Sequence, residues 1–293
     1  MANREPEITQ EMIRAYDVYT HLTLDRRGFS ETLTRLAGSA AAAAAIAPLI
    51  ASNYARAETV AADDSRLKTE DITYPGASGA VKGYLAMPAA ATGTLPAVVV
   101  IHENRGLNPH IRDVTRRLAL EGFIALGPDL VSPKGGTPAS DDEAGKLFQE
   151  LDRTLLVPDA VAAIAYLKSL PQSNGKVGAV GFCFGGGIVN QMAVESPDLV
   201  AAVAYYGAQP TAEEVARIKA KLMLHYAGLD DRIDAGIPAF EAALKAHGVA
   251  YQLFMYDGVN HAFNNDTSAA RYNKEAADLA WSRTVAFLKE NLA

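Results

Sequence analysis

The most constraining feature of this chain is a glycine-rich turn that follows a short apolar run. The turn reads Gly-Phe-Cys-Phe-Gly-Gly-Gly over residues 181–187, and the run Val177–Phe182 predicts a buried strand. A helix is predicted immediately after the turn. A chain that passes so tightly from strand to helix needs small residues where its backbone segments cross, which accounts for Gly181 and Gly185. The segment therefore predicts a strand–turn–helix elbow with Cys183 at its apex.

Strands and helices alternate along the chain after residue 70. Predicted strands cover 71–74, 81–87, 96–102, 123–126, 177–182, 200–206, 222–226 and 251–256. Predicted helices cover 111–120, 140–151, 158–170, 184–195, 238–247 and 269–291. Such alternation is typical of the α/β class, a mostly parallel sheet with helices on both faces. No linker rich in Pro, Gly or Ser interrupts it, so residues 58–293 are expected to form a single domain.

Charge and cysteine content exclude several classes of protein. The chain has 27 basic and 34 acidic side chains, a net charge of −7, so it lacks the basic surface that nucleic-acid binding requires. Its single cysteine excludes an intramolecular disulfide and a multi-cysteine metal cluster. No two histidines have the spacing of metal ligands. We therefore expect no metal, no cofactor and no nucleic-acid partner.

The first 57 residues resemble a twin-arginine export signal. Arg26-Arg27 stands in the segment Asp-Arg-Arg-Gly-Phe-Ser, residues 36–55 carry no charge, and Ala55-Arg56-Ala57 is a small-x-small cleavage pattern. The Leu-Lys that usually follows the phenylalanine is replaced by Ser30-Glu31. The resemblance implies recognition by the export machinery, transient membrane contact, a periplasmic or exported location and a mature chain that begins near Glu58.

Two other interpretations of this segment stay open. Its uncharged stretch is just long enough to serve as a retained membrane anchor. It could also be a buried alanine-rich helix of a cytoplasmic protein, since six consecutive alanines occupy 40–45. Alanine contributes little insertion energy, and Gly38 and Pro48 weaken a spanning helix. Export is the interpretation that these observations favour.

Cys183 is a candidate nucleophile because of its position in the elbow. The spacing G-x-C-x-G is that of a nucleophile elbow with sulfur in place of oxygen. The backbone amide of Phe184 would begin the helix and could donate to an oxyanion, and the helix N-terminus would lower the pKa of the thiol. A lone cysteine is more often a small buried hydrophobe, but the flanking glycines argue against that here.

An elbow nucleophile needs an acid and a histidine later in the chain, in that order. Asp230 follows one predicted strand, and His261 lies in the loop after the last strand. Asp231 is the alternative acid, although Asp230 is favoured because Ile233 stands three residues after it. Taken singly, the aspartate could be a solvated turn residue and the histidine an exposed loop residue.

The other histidines receive weaker assignments. His102 ends a buried strand beside the expected oxyanion loop, so a supporting role there is one possibility. His225 lies within an apolar strand and is interpreted as a core residue. His21, His110 and His247 are interpreted as surface or helix residues.

The chain from about residue 70 resembles the dienelactone hydrolase (carboxymethylenebutenolidase-like) family of α/β-hydrolases. The resemblance is carried by residues 181–187, Asp230 and His261, together with Val-Ile-His-Glu-Asn-Arg-Gly over 100–106. It implies the α/β-hydrolase fold. It also implies that Glu103 contacts the resting thiol and keeps it protonated until substrate arrives. The backbone of Asn104 would supply the second oxyanion amide.

One position departs from the family pattern. The resemblance implies an arginine four residues after the histidine, where it binds a substrate carboxylate, but this chain has Asn265. Arg105 is the first candidate for a replacement, with Arg153 and Arg271 as others. A salt bridge between Glu103 and Arg105 is the alternative interpretation of those two residues.

The sequence thus predicts a monomeric hydrolase that cleaves a small-molecule ester or lactone through a Cys183–His261–Asp230 triad and a thioester intermediate. Two rival functions stay open. An exposed thiol beside a carboxylate could serve redox sensing or peroxide chemistry, although the chain has no resolving cysteine. The same fold could also carry a non-catalytic small-molecule binder.

Overall fold

The computed structural model describes residues 8–21, 25–53 and 58–293. Within these residues the strands form one eight-stranded sheet in the order β1-β2-β4-β3-β5-β6-β7-β8. The strands are β1 Leu67–Gly76, β2 Gly79–Pro88, β3 Leu95–Ile101, β4 Ile124–Pro128, β5 Ser173–Phe182, β6 Leu199–Tyr205, β7 Lys221–Ala227 and β8 Tyr251–Tyr256. The two ladders that involve β2 are antiparallel, and all the others are parallel. The predicted α/β fold with a mostly parallel sheet is confirmed.

Helices cover both faces of the sheet, and three further helices precede its first strand in the chain. They are α1 Gln10–Thr20, α2 Arg26–Ala37, α3 Ala40–Ile50, α4 Pro109–Leu120, α5 Asp141–Gln149, α6 Arg153–Ser169, α7 Phe184–Glu195, α8 Ala212–Val215, α9 Asp231–Asp234, α10 Ile237–Ala246 and α11 Lys274–Leu292. A short 3-10 helix spans Ser132–Lys134. The last helix begins five residues later than the sequence predicts, because Asn273 caps it by accepting a hydrogen bond from the amide of Ala276.

The central strand β3 shows why the sheet is buried on both sides. Its residues alternate between two apolar cores, with Val99 and Ile101 in one and Val98 and Val100 in the other. All four side chains are fully buried. A continuous apolar run therefore places β3 between two layers of helices, and the carboxyl ends of the parallel strands meet at one edge.

A third apolar cluster holds the N-terminal segment, which we define as residues 8–53 without the undescribed 22–24. The cluster joins α1, α2 and α3 through buried side chains that include Tyr16, Phe29, Leu33 and Ile50, and it reaches Ala270 in the loop before α11. In the described residues no single helix is long and apolar enough to cross a membrane, although the bent pair α2–α3 passes that test by composition. The predicted cleavage pattern over 55–57 lies outside the described residues, and export stays a prediction.

Candidate active site

The nucleophile elbow has the predicted geometry. Cys183 lies between β5 and α7 with φ 57° and ψ −117°, a strained backbone conformation for a residue with a side chain. A Cβ atom on Gly181 would lie 2.1 Å from the carbonyl oxygen of Gly185. A Cβ atom on Gly185 would lie 2.4 Å from the carbonyl oxygen of Ile101. Both glycines are therefore required by close backbone approach, which holds the sulfur at the carboxyl end of the sheet.

His261 and Asp230 meet beside the elbow, as the sequence predicts. Nδ1 of His261 lies 2.5 Å from Oδ2 of Asp230, and both residues are buried. Asp230 also caps α9 by accepting a hydrogen bond from the amide of Ile233. The alternative acid, Asp231, is 87% exposed in its side chain and pairs with Arg14. Of the two aspartates, Asp230 is the one that orients the imidazole.

The outer nitrogen of His261 is left with no hydrogen-bond partner among the described residues. This Nε2 atom is fully buried, and a ring nitrogen of His261 lies within 4.8 Å of Sγ of Cys183. Because Asp230 accepts at Nδ1, that nitrogen carries the proton and Nε2 presents a lone pair. The side chain is thus held as a proton acceptor next to a thiol.

The charges of these groups stabilise one another. Burial alone would raise the pKa of the Cys183 thiol, but charge interactions with His261 and His21 lower it to about 6. Burial opposes protonation of His261, yet the negative charges of Cys183 and Asp17 and the hydrogen bond that Nδ1 donates to Asp230 raise its pKa well above the usual value. The geometry can therefore hold a thiolate next to an imidazolium ion.

The loop after β3 places Glu103 in the same cavity. Its carboxylate accepts a hydrogen bond of 2.8 Å from Nδ2 of Asn265. His102 fixes this loop, because its Nδ1 lies 2.5 Å from the carbonyl oxygen of Glu103 and its Nε2 accepts from the amide of Leu130 at 3.1 Å. The residue that replaces the expected arginine therefore holds the glutamate, a role that the sequence did not suggest.

Asn104 lines the cavity that holds the sulfur, and Phe184 directly follows Cys183 in the chain. Asn104 follows Glu103 in the β3 loop, and its side chain donates to the carbonyl oxygen of Thr20. Phe184 is the first residue of α7. Backbone amides at these two positions are where the predicted oxyanion donors belong, and their role stays a prediction.

The three candidate arginines occupy different surroundings. Arg105 and Arg271 line the cavity that holds the sulfur, whereas the guanidinium of Arg153 lies 5.3 Å from the ring centre of Phe148, away from it. Arg105 donates to the carbonyl oxygens of Thr20 and Asn104. Among the described residues, Arg105 and Glu103 thus make their hydrogen bonds with other residues and not with each other.

The N-terminal segment closes this cavity. Tyr16, Thr20 and His21 form one wall, and the cavity volume is about 30 Å³, room for only a few water molecules. Nε2 of His21 lies 3.3 Å from Sγ of Cys183. The two residues are 162 positions apart, and no sequence pattern connects them. The prediction that His21 is a surface or helix residue missed this contact.

Two of the remaining histidines, His225 and His110, are buried. His225 is fully buried and hydrogen-bonded to Tyr256 and Thr284, which confirms its predicted core role. His110 lies in α4, which agrees with the prediction of a surface or helix residue, but it is buried, with Nδ1 3.2 Å from Oδ1 of Asp266. Folding of the loop after His261 over α4 produces this burial.

No metal site is assigned among the described residues. Sulfur and two imidazole nitrogens converge near Cys183, a donor set with some affinity for transition metals. However, the guanidinium of Arg232 lies 3.0 Å from Nε2 of His21. This positive charge beside one of the three atoms disfavours a metal ion, and we assign none to them.

Comparison with known proteins places this geometry in a family. The model of the dienelactone hydrolase family matches residues 81–292. A protein of Saccharolobus solfataricus described as "Putative carboxymethylenebutenolidase" is 34% identical over 258 residues, which cover 75% of this chain and 98% of that protein.

Solved structures agree with this placement. A crystal structure from Klebsiella pneumoniae described as a "Putative Dienelactone Hydrolase" superposes with a TM-score of 0.67 at 28% identity, covering 76% of this chain and 98% of that one. A dienelactone hydrolase-like promiscuous phosphotriesterase from metagenomic libraries shares the fold, with a TM-score of 0.70 at 24% identity over 78% of this chain and all of that one. The chain belongs to the dienelactone hydrolase family and is an ester or lactone hydrolase.

Proposed function

We propose that this hydrolase cleaves a small ester or enol-lactone through nucleophilic attack by Cys183. The observation that carries the proposal is the buried, unpartnered Nε2 of His261, which faces the sulfur while Asp230 holds the opposite nitrogen at 2.5 Å. A lone pair buried beside a thiol has one obvious use, which is to accept the thiol proton. This supports the Cys183–His261–Asp230 triad predicted from the sequence.

The reaction then follows from the positions of these groups. The thiolate attacks the carbonyl carbon, and the amides of Asn104 and Phe184 stabilise the resulting oxyanion, an interaction worth roughly 3 kcal/mol per donor. The leaving alkoxide takes a proton from the imidazolium ion. His261 then accepts a proton from water, which hydrolyses the thioester and frees the sulfur.

The substrate class is proposed to be neutral and short. The amide of Asn265 is engaged by Glu103 at 2.8 Å, so this position offers no cation to a substrate carboxylate. The net charge of −7 does not steer anions toward the site. A neutral lactone should therefore be hydrolysed with a higher kcat/KM than the acidic dienelactone. Selective hydrolysis of the dienelactone would overturn this choice and point to Arg105 or Arg271.

The nucleophile is tested by substitution. Cys183→Ala should abolish hydrolysis of p-nitrophenyl acetate, because the reaction loses its attacking atom. The free energy of unfolding should change by only about 1 kcal/mol, since one small side chain is lost. Cys183→Ser should keep at most a trace of activity, because a hydroxyl is far less acidic than a thiol.

The same assay separates the rival functions. Alkylation of Cys183 should stop turnover of the wild-type enzyme. Turnover that survives in Cys183→Ala would overturn the nucleophile assignment. Binding of ester without turnover would indicate a non-catalytic binder, and thiol oxidation by peroxide without ester turnover would indicate a redox protein.

A further inference from the structure

We propose that His21 is a catalytic residue of this enzyme, a second proton acceptor for Cys183 that the N-terminal segment delivers into the active site. The proposal rests on the proposed function, in which Cys183 is the nucleophile. It starts from the contact of 3.3 Å between Nε2 of His21 and Sγ of Cys183.

The hydrogen-bond partners of His21 define its proton positions. Nδ1 lies 2.7 Å from the carbonyl oxygen of Asp17, which can only accept, so Nδ1 carries the hydrogen. Nε2 lies 3.0 Å from a guanidinium nitrogen of Arg232, which can only donate. The single lone pair on Nε2 of the neutral ring therefore faces two donors, Arg232 and the thiol of Cys183. Only the thiol can transfer its proton, because a guanidinium stays protonated. Arg232 is exposed, so its side chain can turn away when the ring gains a proton.

His21 also has a carboxylate partner, as His261 does. Oδ1 of Asp17 lies 3.4 Å from Nδ1 of His21, one helical turn earlier in α1. Asp17 thus places a second carboxylate beside a second imidazole, although Nδ1 of His21 hydrogen-bonds the backbone carbonyl of Asp17 and Nδ1 of His261 hydrogen-bonds the carboxylate of Asp230. The two imidazole rings meet edge to face, with ring centres 4.9 Å apart. Cys183 consequently lies between two imidazole–carboxylate pairs.

The chemical step is a proton transfer. The S–H bond of Cys183 breaks, an N–H bond forms at Nε2 of His21, and the sulfur keeps the electron pair. The carboxylate of Asp17 stabilises the resulting imidazolium ion. The thiol has a single proton, so in a given cycle this transfer replaces the transfer to His261. His21 releases the proton to solvent as it withdraws, and the leaving alkoxide takes a proton from solvent, so the cycle needs no external oxidant or reductant.

The cavity wall requires some movement before a substrate can bind. The cavity of about 30 Å³ is smaller than an ester group with its acyl chain. The side chain of His21 is 18% exposed, whereas Tyr16 is buried against Arg271. His21 is therefore the part of the wall that can withdraw toward solvent, after it has removed the proton from the thiol.

The test measures the pH dependence of Cys183 alkylation by iodoacetamide, which does not depend on ester turnover. The full-length variants are His21→Ala, His261→Ala and the double variant, with His247→Ala as a matched control because this exposed histidine lies at the end of α10. Thermal unfolding of each variant checks that the fold is kept. Other charged or titratable groups near the sulfur are unchanged in these four variants, namely Asp17, Glu103, Tyr206, Asp230, Arg232 and Arg271.

His261→Ala should still form a thiolate, because His21 remains as an acceptor. At pH 7 its sulfur should be alkylated about tenfold faster than in the double variant, which corresponds to a shift of about one pH unit in the midpoint. Asp17→Asn in the His261→Ala background should lose part of that advantage. His247→Ala should match the wild type.

Two outcomes would overturn the proposal. One is an identical midpoint in His261→Ala and the double variant. The other is a faster alkylation plateau in His21→Ala with an unchanged midpoint, which would mean that His21 only covers the sulfur. A failure of the proposed function is distinguishable, because the enzyme would then show the alkylation pattern but no turnover of p-nitrophenyl acetate.

Discussion

Cys183 and its neighbours illustrate what single residues contribute to the reaction. The thiol has a pKa lowered to about 6, because the charges of His261 and His21 outweigh the effect of burial. A thiolate is the reactive form, so the rate of acylation should rise with pH through a midpoint near 6 and level off above it. Single-turnover kinetics with p-nitrophenyl acetate across this range measures the midpoint.

Glu103 should move that midpoint. Its carboxylate lines the cavity with the sulfur, and a nearby negative charge disfavours a thiolate. Glu103→Gln should therefore shift the midpoint to lower pH while keeping the hydrogen bond with Asn265 possible. Glu103→Asp, which preserves the charge, is the control. A midpoint that stays at the wild-type value would show that the glutamate does not restrain the thiol.

At the scale of elements, the elbow depends on the close approach of β3, β5 and α7. Gly185→Ala should destabilise the protein by on the order of 3 kcal/mol, because the added Cβ would lie 2.4 Å from the backbone of Ile101. Gly187→Ala is the matched control in the same helix, since its Cβ would meet Ala208 at an ordinary 3.5 Å. Thermal unfolding should separate the two variants by roughly 6–12 °C. Equal stabilities would contradict the crossing-backbone explanation.

The elements near the elbow could be predicted because the sequence patterns that indicate them are local. The apolar run of β3 and the glycines around Cys183 identify a buried strand and a tight turn without knowledge of the rest of the chain. The partners Asp230 and His261 follow from their order after strands. The contact between His21 and Cys183 could not be predicted, since it depends on how α1 packs across the sheet edge, and no local pattern encodes that packing.

The same distinction applies to Asn265. The sequence shows that it replaces an expected arginine, and the natural inference is the loss of a substrate contact. Its hydrogen bond with Glu103 depends on two loops that are 162 residues apart. The sequence thus indicated that Asn265 departs from the family pattern, whereas its hydrogen bond with Glu103 could be identified only from the folded structure.

At the scale of the whole molecule, two functions are proposed for the N-terminal part of the chain: export, and the delivery of His21 to Cys183. We propose that residues 1–57 direct export through the twin-arginine route, as their sequence predicts. Fused to a reporter that works only after transport in a folded state, they should carry it across the membrane, and replacement of Arg26-Arg27 by Lys-Lys should stop this. The side chains of Arg26 and Arg27 are 80% and 87% exposed, so the replacement should leave stability nearly unchanged. Undiminished export would point to another route.

The packing of the N-terminal segment leads to a last prediction, which concerns the length of the working enzyme. Cleavage after Ala57 would remove α1, α2 and α3, and with them His21. These helices bury Leu33 and Ile50 almost completely and close the cavity over Cys183. If His21 acts in catalysis, the active enzyme must keep them, so the intact mass of the exported, active protein should include the N-terminal segment. A mass that begins near Glu58, in a protein with full esterase activity, would instead support cleavage and a mature enzyme that works without His21.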